Sequence, residues 1–105
     1  RNVVIHEFAH QLDQESGLAN GAPFLGRRDR YARWAAVLGF EFEALQQRLA
    51  RGEPGLIEAY AATDAAEFFA IVSELFFERP AELAAAHPAL YEEFARYYCA
   101  QPLHW

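Results

Sequence analysis

Two histidines four residues apart, with a glutamate directly after the first, stand near the start of the chain as His6-Glu7-Phe8-Ala9-His10. On an α-helix each residue advances about 100°, so His6 and His10 differ by only about 40° around the axis. Both imidazoles then project from one face, one turn apart. That spacing suits one tetrahedral zinc ion, held at Zn–N distances of about 2.0–2.1 Å. Glu7 stands about 100° from His6, beside such a metal rather than on it. A carboxylate there can take a proton from water activated at the metal. The flanks Val3-Val4-Ile5, Phe8, Ala9 and Leu12 predict a largely buried helix. Two histidines and a glutamate buried without partners would be costly, which favours the metal over a chance spacing on an exposed helix.

Two histidines do not complete a catalytic site, which takes three protein ligands and leaves a position for water. His87 sits beside Pro88 in an expected turn and His104 lies one residue from the end, so both read as surface histidines. An acid on the segment 64–77 is the better third ligand. Glu67 and Glu74 lie seven apart in the apolar stretch AAEFFAIVSELFF, and share a helix face within about 20°. A carboxylate among phenylalanines needs a reason to be there, and a metal supplies one for Glu67. Glu74 reads equally as support that orients a ligand histidine through its free ring N–H or as a capped, partly solvated helix glutamate. Asp13, three residues after His10, lies on the histidine side of the helix. A third ligand from the same straight helix would crowd a tetrahedral ion, so a supporting or structural role is favoured for it.

The elements that must position these groups read as helices. Residues 3–15 place Val4, Ile5, Phe8, Ala9 and Leu12 at helical spacing. Residues 28–50 carry one apolar stripe, Tyr31, Trp34, Ala35, Leu38, Phe42, Leu45 and Leu49, in steps of three and four. Residues 64–77 open with Asp64-Ala65-Ala66-Glu67, which has capping-box spacing, so Thr63 or Asp64 starts that helix. Pro80 opens a short helix and Pro88 a last one bearing Leu90, Phe94 and Tyr97. Gly and Pro cluster at 16–26, where a simple turn is favoured over a cleft-lining loop, and at 51–55. No period-two run is evident. The expectation is an all-α chain of four to five helices, residues 1–105 forming a single domain, with the aromatic end Tyr91, Phe94, Tyr97, Tyr98 and Trp105 as core.

Composition narrows the partners. Nine arginines, with no lysine, face fifteen acids for a net charge of −6, so a basic face for nucleic acid is not expected. No apolar run reaches the roughly 18–20 residues of a membrane span. Cys99 is the only cysteine, which excludes an internal disulfide. The chain begins Arg1-Asn2 and contains no methionine, and is expected to be part of something longer.

The ordered set Val3–Asp13, Asn20-Gly21-Ala22-Pro23-Phe24, Tyr60–Ala70, Ser73–Phe77, Tyr97-Tyr98 and Gln101-Pro102-Leu103 resembles the MtfA family of zinc peptidases. The resemblance runs through essentially the whole chain. It implies a bacterial, cytoplasmic metallopeptidase of the gluzincin type, aminopeptidase-like, with a core related to anthrax-lethal-factor-like proteases. It also implies one zinc per chain on His6, His10 and Glu67, with Glu7 as general base and Tyr60, seven residues before Glu67, as hydrogen-bond donor to the oxyanion. Without the family, Tyr60 reads as a packing aromatic. Family members carry a long segment before the motif helix, so an upstream α+β portion is expected to be missing here. The expected partners are a peptide or protein substrate and, as the alternative function, a transcriptional repressor bound by a regulatory module. A zinc site that merely staples helices is disfavoured, because structural sites are normally closed.

Overall fold

A computed structural model describes residues 28–105, with side chains from residue 32 onward. His6, Glu7, His10, Asp13, the helix expected over 3–15 and the loop 16–26 lie outside the described residues. Within them the chain is all-α. It comprises α1 (Arg28–Ala50), α2 (Ala65–Glu78), α3 (Pro80–Ala86) and α4 (Pro88–Tyr98), with 3-10 turns at Ala59–Ala62 and Pro102–His104. No helix among the described residues is long and apolar enough to cross a membrane.

α2 is the central element. Every residue from Phe68 to Phe76 is buried, so this helix has no wet side along two turns, as its sequence of phenylalanines and β-branched residues requires. α1 and α4 flank it. Trp34 of α1 meets Phe69 of α2 at 5.8 Å between ring centroids and Phe94 of α4 at 5.0 Å, while Phe69 and Phe94 stand 5.6 Å apart. These tilted triads are favoured aromatic geometries. Farther along α2, Phe76 contacts Tyr91 at 5.2 Å and Tyr98 at 5.8 Å. Ser73 is buried here because it has a partner: the Tyr98 hydroxyl donates to Ser73 Oγ at 2.8 Å.

The α1 stripe is narrower than expected. Trp34, Leu38 and Leu45 are buried and Phe42 and Leu49 half-buried, but Ala35 is exposed. It lies about 100° around from Trp34, at the stripe's edge. Phe40 projects from the opposite side and is 72% exposed.

The helix ends follow from local chemistry. α1 stops where Gly52 adopts φ +71°, its N–H reaching the Leu49 carbonyl at 3.0 Å. Pro80 and Pro88 each occupy the first turn of their helices, where a missing N–H costs nothing. Between α3 and α4, His87 departs from the surface role expected of it. Its side chain is only 16% exposed, and Nδ1 lies 2.8 Å from Glu41 Oε1 on α1. The corner just before Pro88 turns the ring inward, and the carboxylate on α1 satisfies it. His104 is exposed as expected. The aromatic end is core at Tyr91 and Phe94, while Trp105 is 79% exposed and stacks on Phe77 at 6.1 Å.

Candidate metal centre

Tyr60 stands in the short stretch of chain between α1 and α2, and Glu67 in the first turn of α2 that follows it. Two apolar pegs seat that stretch: Ile57 is 2% exposed and Ala61 is fully buried. Between them the backbone makes a 3-10 turn, with Ala61 N–H donating to Glu58 O at 3.0 Å and Thr63 N–H to Tyr60 O at 3.1 Å. Because Ala61 points inward, Tyr60 is left 49% exposed. It is therefore only partly packed.

Asp64 then starts α2 from an extended backbone, φ −162°. Its Oδ1 accepts the Glu67 N–H at 2.8 Å, the first half of the capping box read from the sequence. Glu67 thus occupies the first turn, where the positive end of the helix dipole favours an anion. Its Oε2 is shut off from solvent. A shielded carboxylate oxygen on a capped, rigid helix start is a suitable donor for zinc, so this residue fits the ligand role. Among the described residues no three potential ligands converge. Glu67 can supply one donor there; His6 and His10, the other expected ligands, lie outside the described residues.

Glu74, two turns along α2, is 6% exposed with Oε1 shielded. It is buried, not the solvated helix glutamate that its sequence equally allowed. It lines a cavity of about 100 Å³ with Glu58, Ile71, Leu75, Glu78 and Arg79. Arg79 is engaged by Glu82, its Nε donating to Oε1 at 2.9 Å. That hydrogen bond holds the Glu82 carboxyl below the ordinary carboxylate range. A second, broad depression of about 810 Å³ opens beside Tyr91, Arg96, Cys99 and Gln101; Tyr60, Glu67 and Glu74 do not line it.

Arg48 also bears on the stretch between α1 and α2. It stands in the last turn of α1, where a basic side chain is unremarkable as a dipole partner. Its Nη2 donates to Ile57 O at 2.9 Å, reaching the stretch that holds Tyr60. No signal in the sequence distinguishes this arginine from the others.

The chain matches the glucose-regulated metallo-peptidase M90 family over residues 1–99 and belongs to that family, the MtfA family. It is similar to an uncharacterized protein of Synechocystis, 47% identical over 102 residues that cover 97% of this chain and 37% of the relative. It is also similar to proteins named Mlc titration factor A. The one from Edwardsiella ictaluri is 42% identical and that from Serratia proteamaculans 43% identical, each over 97% of this chain and 40% of the relative. The chain thus spans about two fifths of the length of the relatives it matches.

Proposed function

We propose that this chain bears the catalytic centre of a zinc-dependent peptidase. The observation that carries the reading is the shielded Glu67 carboxylate on the capped start of α2, seven residues after a half-exposed Tyr60, in a chain of a metallo-peptidase family. His6 and His10 are the other two ligands in this reading, one helical turn apart. Zinc bound there would supply Lewis acidity, polarising a peptide carbonyl and acidifying water toward a pKa of about 7. Glu7 takes a proton from the attacking water and passes it to the leaving amine. The Tyr60 hydroxyl donates a hydrogen bond to the oxyanion as the carbonyl carbon becomes tetrahedral. Asp13 and Glu74 are candidates to orient the ligands from behind.

Metal analysis of the purified full chain tests the reading. One equivalent of zinc, lost in Glu67→Ala, is the expected result. A folded, metal-free chain in zinc-containing buffer at neutral pH would overturn it.

A second reading is a protein-binding role, favoured by relatives that are named titration factors for Mlc. In that reading this chain contributes to binding a transcriptional repressor. Binding that survives removal of zinc would separate it from the first.

A further inference from the structure

We propose that Arg48 is a positioning residue for Tyr60, acting through the backbone of the 56–62 stretch. The proposal rests on reading Tyr60 as the donor to the oxyanion. An oxyanion donor is useful only when held in place before the reaction, because a group that must first be ordered loses much of its effect. Tyr60 is half-exposed, so where its hydroxyl sits depends on the backbone that carries it. That backbone is fastened on either side. On the α2 side the hold is the Asp64 cap. On the α1 side Arg48 adds to the seat made by the buried Ile57.

The grip of Arg48 has two parts. Its Nη2 donates to the carbonyl of Ile57, three residues before Tyr60, at 2.9 Å. Gly55 lies flat against the guanidinium: a Cβ built there would stand 2.5 Å from Arg48 Cζ and 2.6 Å from Nη1. Gly55 therefore leaves room for the guanidinium to reach past the turn to Ile57 O. The arrangement carries a cost, since Arg48 Nε is buried with no hydrogen-bond partner among the described residues. A wholly apolar side chain would fill the same space without that cost, but could not hold the Ile57 carbonyl. Arg48 also lies about 20° around the helix from Glu41, whose carboxylate grips His87. One flank of α1 thus holds both the α3–α4 corner and the approach to Tyr60.

The test uses the zinc-loaded full chain and the variants Arg48→Ala, Arg48→Lys and Gly55→Ala. Gly55→Ala keeps the arginine but displaces its end. Hydrogen exchange is the readout independent of turnover. Amides of residues 57–63 should exchange roughly tenfold faster in Arg48→Ala and Gly55→Ala, the loss expected for one charge-assisted hydrogen bond. Amides of α2 and the zinc content should be unchanged. In peptide hydrolysis, kcat should fall with KM unchanged, and Arg48→Lys should recover part of the loss. Adding Arg48→Ala to Tyr60→Phe should bring little further loss, because both act on the same hydrogen bond. Unchanged exchange at 57–63, or a loss fully additive with Tyr60→Phe, would overturn the proposal. If Tyr60→Phe alone turns over normally, the role of Tyr60 is what fails; the positioning role falls with it, whatever the exchange shows.

Discussion

Glu67 donates its backbone N–H to the Asp64 carboxylate at 2.8 Å, so the residue proposed to bind the metal is fastened at its own main chain by the residue that starts its helix. Removing the cap should act on stability and on the metal together. Asp64→Ala should cost about 1 kcal/mol, as N-cap truncations do, and should weaken zinc binding because the first turn of α2 frays. Asp64→Ser should restore most of both. Urea unfolding and a zinc titration, run on the same samples, check this. A variant that loses stability but binds zinc as before would show that the cap does not position Glu67.

The roles proposed for Glu7, Glu67 and Tyr60 separate in experiment. Glu67→Ala should lose zinc. Glu7→Gln should keep zinc and lose nearly all peptide hydrolysis, because the amide cannot accept the proton. Tyr60→Phe should keep zinc and lower kcat by roughly 10²–10³. Normal turnover in Glu7→Gln would end the general-base assignment, whatever the other two variants do.

Tyr98 provides a pH dependence. Burial pushes its phenol up from 10.0 to about 12, outweighing the opposite pull of the Ser73 hydroxyl. The folded state therefore keeps a proton that the unfolded chain releases. The resulting stability is complete below pH 10 and is lost as pH rises toward 12. A shift of this size corresponds to about 3 kcal/mol. Absorbance of the phenolate in the folded chain and stability across that alkaline window would measure it. Tyr98→Phe should flatten the dependence, while costing about 1–3 kcal/mol at neutral pH because the buried Ser73 hydroxyl loses its partner.

The helices were legible because their signals are local. The α1 boundaries, the prolines opening α3 and α4, and the start of α2 at Thr63 or Asp64, which the structure places at Asp64, all rest on residues within one turn of each other. The unbroken burial of α2 is also local, written in Phe68 through Phe76. Contacts across long separations were not legible. His87 looks like a surface residue until Glu41, 46 positions earlier, is brought to it. Arg48 looks like a dipole partner until the chain folds back to Ile57. Glu67 could be singled out because a charge among phenylalanines is anomalous, whereas Tyr60 among alanines is not; its role came only from the family resemblance.

The end of α4 is suboptimal in a way that a single substitution can measure. Cys99 adopts φ 52° and ψ 46°, the left-handed conformation, as Ala100 N–H reaches back to Ala95 O at 3.2 Å. Helices commonly end this way, but with glycine at this position, because a Cβ there is crowded by the following carbonyl at a cost of roughly 1–2 kcal/mol. Little holds the cysteine in return. It is exposed, and its Sγ lies 3.7 Å from Arg96 O, a weak contact. Glycine brings its own penalty through the greater freedom of the unfolded chain, about 0.5–1 kcal/mol. The balance favours Cys99→Gly by roughly 0.5–1 kcal/mol, or about 3–6 °C in Tm for a domain of this size. Cys99→Val should move the other way, since a β-branched side chain tolerates positive φ least. Thermal melts of the two variants against the parent decide it: if glycine fails to stabilise while valine is neutral, the left-handed turn after Tyr98 is not a source of strain.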